Sequence, residues 1–281
     1  MYFEAHIIMS HFFTTEIARL HDLYHITVKS KALKKRADIT VYNSIPADTV
    51  LTSVPLVILL HGVYGSHWVW SAQGKAHLTL QHLVSSQIVA PMILAMPSDG
   101  LFADGSAYLP HFTENYEQWI VEDVIQVMKE QFPAIDDQSP VFIAGLSMGG
   151  YGALRLGAKY PDRFKAFSGL SSITHFDQMK LFVEDFNLLQ SMVTVQDGVL
   201  DWMIAHKDRL LPFRFDCGTN DLLIEQNRRL HRELTQHNIS HIYKEFEGEH
   251  SWVYWAEHIG ETFKFFEQVR ERGGNSLQVK Y

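Results

Sequence analysis

Cysteine is almost absent from this chain: its 281 residues include one, Cys217. A lone thiol excludes an internal disulfide framework and any zinc site built from several thiolates. Its apolar, strand-like surroundings make Cys217 read as a buried structural thiol. Long hydrophobic runs are missing as well. No stretch reaches the roughly 18 uncharged apolar residues of a membrane-spanning helix, so no membrane span is expected. Residues 1–10 carry neither a basic start nor a long apolar core, so no secretory signal is read and a cytoplasmic location is expected. Basic stripes are lacking too: 24 Lys and Arg stand against 32 Asp and Glu, a net charge of −8. That balance speaks against nucleic acid or an anionic membrane as partner. Histidine is plentiful, at 16, yet no His-Glu-x-x-His, His-x-His or Cys-x-x-Cys spacing occurs. His237 and His241 lie four apart, but the residues between them read as a helix end. Neither a metal nor a cofactor is therefore expected. There is no internal repeat and no low-complexity tract.

What is present is an ordinary globular balance, 46% hydrophobic and 20% charged. The length suits one large α/β domain over residues 1–281. Such a chain buries about 75% of its unfolded surface and needs no covalent staple.

The informative stretch is Val141-Phe-Ile-Ala-Gly-Leu-Ser-Met-Gly-Gly150. An apolar run enters Gly145-Leu146-Ser147-Met148-Gly149, and a small-residue helix pattern follows. Strand, sharp turn, helix is the context that gives Gly-x-Ser-x-Gly its meaning. A serine at the tip of so tight a turn is strained, and only glycine-sized neighbours leave it room. Its hydroxyl then stands at a helix N-terminus, where unpaired N–H groups favour a developing oxyanion. Ser147 is thus a candidate nucleophile.

Around it, apolar runs alternate with helical patterns. Segments 23–29 and 37–42 read as antiparallel edge strands, and 15–20 as a short helix. Runs 54–60, 88–96, 141–144, 164–170, 213–217 and 242–246 read as strands. Segments 76–84, 115–132, 222–237 and 252–269 have the 3.6-residue spacing of helices with one buried face. Residues 273–281 are expected to fray. Residues 97–113 form a loop long enough to wall a pocket. Residues 171–211 break the alternation, with weak helical patterns at 176–186 and 199–206, and read as an insertion or lid. Alternation of this kind implies a mostly parallel sheet with helices on both faces and antiparallel strands at its N-terminal edge. Ligands of such sheets bind beyond the carboxyl ends of the strands. His61, Asp99, Ser147, Ser171, Asp221 and His250 all follow strands.

A serine hydroxyl needs a base. His250, in a short loop after the last strand, fits best. His61 is the rival, although Gly62 follows at once and the segment looks like an oxyanion loop. The base needs an acid to fix its tautomer. Asp221 lies between Ser147 and His250 along the chain, in the order expected of this fold, with Asp216 and Asp201 as weaker alternatives. The backbone N–H groups of Val63 and Met148 are the expected oxyanion donors. His61, Gly62, Tyr64, Trp70 and Trp252 are candidates for pocket walls, and Trp68 could share that role.

Leu59-Leu-His-Gly-Val-Tyr-Gly65 with Trp70, Gly145-Leu-Ser-Met-Gly-Gly150, Gly218-Thr-Asn-Asp221 and Gly248-Glu-His-Ser-Trp252 resemble the Putative esterase group of α/β-hydrolases. That group includes S-formylglutathione hydrolases, tributyrin, feruloyl and acetylxylan esterases, and mycolyltransferases. The resemblance runs over residues 20–270 and implies Ser147, Asp221 and His250 as a triad, with Val63 and Met148 as oxyanion donors. His61-Gly62 replaces the Ser-Gly-Leu-Thr-Cys loop of the formylglutathione hydrolases. The expectation is a cofactor-free serine carboxylesterase acting on a small-molecule ester, short-chain or aryl/sugar. Acyl transfer by the same triad, a non-catalytic binding protein on a hydrolase fold, and assembly into a homo-oligomer stay open.

Overall fold

The computed structural model describes residues 6–9 and 13–277, with side chains over 13–273. Its strands are β1 (His6–Met9), β2 (Thr14–Leu20), β3 (Leu23–Lys29), β4 (Arg36–Asn43), β5 (Leu56–Leu60), β6 (Ile93–Pro97), β7 (Val141–Leu146), β8 (Ala166–Leu170), β9 (Phe213–Gly218) and β10 (Ile242–Phe246). They join in one sheet, in the order β1-β2-β3-β4-β6-β5-β7-β8-β9-β10. From β6 to β10 every pairing is parallel, and β1 to β4 add an antiparallel extension.

The parallel strands read as unbroken apolar runs because both faces are covered. Leu56, Ile58 and Leu60 of β5 face one core, shared with Ile143 and Ile93. Val57 and Leu59 face the other, with Phe142, Leu94 and Met96. The short α1 (Val69–Ala72) and α2 (Ala76–Ser85) follow β5. Then come α3 (Tyr116–Gln118), a π-helical stretch at Trp119–Val124, and α4 (Ile125–Gln131). After β7 comes α5 (Met148–Lys159). Two short helices, α6 (Phe186–Met192) and α7 (Val199–Ala205), lie between β8 and β9. Finally, α8 (Ile224–Gln236) precedes β10 and α9 (Trp252–Leu277) follows it. In the second core, α9 stacks Phe266 on Phe142 with ring centroids 4.7 Å apart.

Strand β5 is followed by β6 on one side and then by β7 on the other. That reversal opens a crevice at the carboxyl ends of β5 and β7, the place where open α/β sheets receive ligands. The loop beginning at His61 leaves β5, and Ser147 leaves β7, at this point.

Several expectations are corrected. Segment 15–20 is strand, not helix: β2 pairs with β3, Ile17 opposite Ile26. Glu16, Ala18, Arg19 and Leu20 favour a helix locally, but the ladder overrides that weak preference. Residues 88–92 lie outside the sheet, which β6 joins at Ile93. Pro91 has no N–H to give a ladder. The 176–186 pattern splits into a 3-10 helix, Phe176–Leu181, and α6, whose start Asp185 caps by accepting from Leu188 N–H at 3.0 Å. Helix α9 continues past 269 to Leu277. Of residues 273–281, expected to fray, 273–277 are helical instead, and 278–281 lie outside the described residues. Cys217 is fully buried in β9, and burial pushes its thiol well above the ordinary value.

The start of α5 is pressed against β5. A Cβ built on Gly149 would lie 2.3 Å from the carbonyl oxygen of Leu60, and one on Gly145 would lie 2.2 Å from that of Gly149. Backbone atoms cannot yield as a side-chain end does. Gly149→Ala is therefore expected to cost about 1–3 kcal/mol, the range for overpacking a filled site. Chemical denaturation of the purified variant measures it.

Candidate active site

The turn after β7 holds Ser147 at φ 52° and ψ −116°, a backbone region that favours glycine. Three hydrogen bonds fix it there. Its N–H donates to Leu170 O at 3.0 Å, while its carbonyl accepts from Tyr151 N–H at 3.0 Å and Ile173 N–H at 3.1 Å. The residue is 2% exposed.

His250 comes from the loop between β10 and α9. Its Nε2 lies 3.0 Å from Ser147 Oγ. Its Nδ1 lies 2.9 and 3.0 Å from the two carboxylate oxygens of Asp221. Asp221, from the turn after β9, also accepts the Leu223 N–H at 2.8 Å. Burial by itself would raise the carboxyl of Asp221, but His250 and the Leu223 amide hold it below the usual value. A buried carboxylate that stays ionised fixes a proton on His250 Nδ1 and leaves Nε2 free to accept one from Ser147. The rings of Phe182 and Trp255 pack on the imidazole, at 5.1 and 4.9 Å between centroids.

The loop after β5 borders the same point. Gly62 lies against Leu146 and Ser147, where an added Cβ would fall 3.4 Å from Ser147 Cβ. Both peptides flanking Val63 are clamped. The Gly62 carbonyl accepts from His61 Nδ1 at 2.7 Å and Gly65 N–H at 3.3 Å, and Tyr64 N–H donates to Asp104 O at 2.9 Å. Gly105 packs against both Met148 Sδ and Val63 Cγ1. Met148 is the first residue of α5, so its N–H has no acceptor one turn back in the helix.

His61, weighed above as a rival base and as a pocket wall, is 1% exposed and does neither. Its Nε2 accepts the Asp99 N–H at 2.9 Å. A backbone amide can only donate, so Nε2 is unprotonated and Nδ1–H donates to Gly62. Burial lowers the pKa of this ring despite Asp99 nearby, which keeps it neutral. Asp99 in turn shapes the 97–113 loop, accepting from Leu101 and Ser106 N–H at 2.8 and 2.7 Å. Tyr108 of that loop donates to the His61 carbonyl at 3.0 Å. His61→Ala would release the Gly62 peptide. If the Val63 amide serves as an oxyanion donor, turnover is expected to fall about 10-fold or more in kcat with little change in KM, since a whole such donor is worth about 10²–10³. Steady-state kinetics of the variant give the comparison.

Trp70 is placed in the core instead of at a pocket wall. It is fully buried, its Nε1 donates to Leu60 O at 2.9 Å, and its ring packs edge-on against Trp252. Trp252 is half-buried between Trp70 and Trp255. Gly62 is buried beneath the loop. Tyr64, 62% exposed, stands at the rim, and Trp68 is exposed as well. Asp216 is paired with Arg214 at 2.8 Å and accepts from Tyr254 OH at 2.8 Å. Asp201 accepts the Gly198 N–H at 2.7 Å and starts α7. Both alternatives to Asp221 are thus engaged elsewhere.

Among the described residues no group of three or more His, Cys, Asp or Glu is arranged to hold a metal ion. No helix among them is long and apolar enough to cross a membrane.

Comparison with known proteins gives the chain a family and a fold. The family described as Putative esterase matches residues 30–266. An acetyl esterase of Caldicellulosiruptor saccharolyticus is 25% identical over 274 residues, covering 89% of this chain and 99% of that protein. A solved ferulic acid esterase superposes with a TM-score of 0.74 at 23% identity, over 88% of this chain and 97% of its own. An S-formylglutathione hydrolase of Staphylococcus aureus gives 0.71 at 21% identity, over 86% and 96%. At those identities the two structures speak for the shared α/β-hydrolase fold. With a family match spanning most of its length, the chain belongs to the Putative esterase family and is a carboxylic ester hydrolase.

Proposed function

We propose that the protein is a serine carboxylesterase that works through an acyl-enzyme on Ser147, with His250 as base, Asp221 as its orienting acid, and the Val63 and Met148 amides as oxyanion donors. The observation that carries this reading is the continuous path from Asp221 through both nitrogens of His250 to Ser147 Oγ, with each step near 3.0 Å. Ser147 attacks the ester carbonyl and passes its proton to His250 Nε2. The alcohol leaves with that proton, and water, activated by the same imidazole, releases the acid.

The names of the relatives make acetyl and feruloyl esters the first substrates to try. Mixing the protein with excess p-nitrophenyl acetate is expected to give a burst of p-nitrophenolate and an acetyl adduct on the peptide carrying Ser147. An adduct on another residue, or turnover without one, would overturn the assignment. Adding a polyol acceptor to the same reaction separates hydrolysis from acyl transfer, because a transferase gives mostly polyol ester at millimolar acceptor, where an esterase still gives mostly free acid. A single domain over 1–281, segment 171–211 as its lid and a cytoplasmic location belong to the same proposal. Limited proteolysis tests the first two and cell fractionation the third.

A further inference from the structure

Residues 182–184 of the insertion are tied down across the mouth of the site. Tyr64 OH donates to the Phe182 carbonyl at 2.6 Å, and Glu184 N–H donates to Asp104 Oδ2 at 2.7 Å. Tyr64 and Asp104 are themselves joined, through the Tyr64 N–H and the Asp104 carbonyl at 2.9 Å. Val183, between the two tethers, is buried as an anchor. The result is a strap whose Phe182 ring lies 5.1 Å from the His250 ring, inclined to it by 31°. Trp255 meets the same imidazole edge-on, at 89°.

The chemistry decides which part of an ester meets this ring. When the acyl-enzyme forms, the Ser147 Oγ–acyl bond is made and the acyl–alcohol C–O bond breaks. The proton that Ser147 gave up travels from His250 Nε2 to the departing alcohol oxygen, so the alcohol must lie against the imidazole. The carbonyl oxygen points the other way, toward the Val63 and Met148 amides. Resting on the triad reading, we infer that Phe182 is a specificity-determining residue for the alcohol half of the ester. Held by Tyr64 and Asp104, it offers a flat apolar face that favours aryl alcohols over small alkyl ones. Leu181, exposed beside it, extends that face outward.

The test compares kcat/KM for phenyl and 1-naphthyl acetate with that for ethyl acetate, in variant and wild type. Dividing variant by wild type removes the intrinsic reactivity of each leaving group. Phe182→Ala is expected to lower the aryl-to-ethyl ratio about 10-fold, the scale on which an apolar contact discriminates. Phe182→Trp should restore most of it. Tyr64→Phe, which removes one hydroxyl, should lower the ratio about 2- to 10-fold through the loosened strap. A second series holds the alcohol as phenol and lengthens the acyl chain from acetate to butyrate, and here the chain-length ratio should stay as in wild type. An unchanged aryl-to-ethyl ratio in Phe182→Ala, or a shift in the acyl series instead, overturns the inference. Failure of the triad reading looks different, because wild type itself would then form no acyl adduct on Ser147.

Discussion

Ser147→Ala is expected to lower kcat for p-nitrophenyl acetate by about 10⁶-fold, the scale on which serine hydrolases lose turnover with their nucleophile. What remains should be about 10³–10⁴ over water, because the clamped amides near Val63 and Met148 persist. The fold should survive. Among the described residues, the hydroxyl has its hydrogen-bond contact with His250 Nε2, at 3.0 Å. The strain of the turn is a backbone property, and alanine inherits it at φ 52°. Ser147→Gly separates the two effects: equally inactive, it should be about 1–3 kcal/mol more stable than Ser147→Ala, since glycine adopts that conformation freely. Kinetics of both variants together with their unfolding curves check this. Residual turnover near the wild-type rate in either would remove Ser147 from the chemistry.

The second large effect concerns stability and lies behind the site. Arg155 of α5 is fully buried, and its guanidinium bonds Glu117 on one side and Asp197, just before α7, on the other, at 2.8 Å from Nε. Lys159 reaches Glu117 at 2.6 Å, and Tyr151 OH donates to Asp197 at 2.9 Å. Burial alone would raise both carboxyls, yet Arg155 and its neighbours hold them below the usual value. Arg155→Met leaves two desolvated carboxylates without their main partner, a change that typically costs about 3–5 kcal/mol. For a chain of this size each kcal/mol moves the midpoint by about 2–4 °C, so Tm should drop by roughly 10 °C. The triple variant Glu117→Gln, Arg155→Met, Asp197→Asn should recover part of the loss, because no unpaired carboxylate stays buried and Lys159, which loses Glu117, is partly exposed to water.

The same network sets the acid limb. Glu117 and Asp197 titrate lower in the folded protein than in the unfolded chain. Their stabilisation is therefore complete above about pH 4–4.5, the unfolded carboxyl range. It fades as pH falls through the depressed folded values. Thermal melts from pH 7 to pH 3 should show a steep late fall in wild type and a shallower one in Arg155→Met.

How much of this was legible in the residues depends on distance along the chain. The Ser147 turn could be read because strand, glycine spacing and helix pattern are adjacent. Asp221 and His250 could be proposed because each follows a strand end and their order matches the fold. The 242–246 strand coincides with β10, and the 141–144 run falls within β7, which extends through Gly145 and Leu146 into what reads as the turn, since apolar or alternating runs carry their own signal. The Arg155 network was not legible. Its members sit 38 and 42 positions away, and nothing local marks a charge for burial. The role of His61 was hidden for the same reason, because Asp99 meets it only through the sheet. Phe182 lies in a segment without a motif, and the tethers from Tyr64 and Asp104 that help to place it come from distant parts of the chain. Segment 15–20 was misread because helix-favouring residues say nothing about a neighbouring strand.

The shielding of Cys217 has a practical consequence. With the chain's native thiol sealed inside β9 and reluctant to ionise, a cysteine introduced at the surface would be the reactive one. A spin label or fluorophore at position 181 could then follow the strap through a turnover without any need to remove background sulfur first.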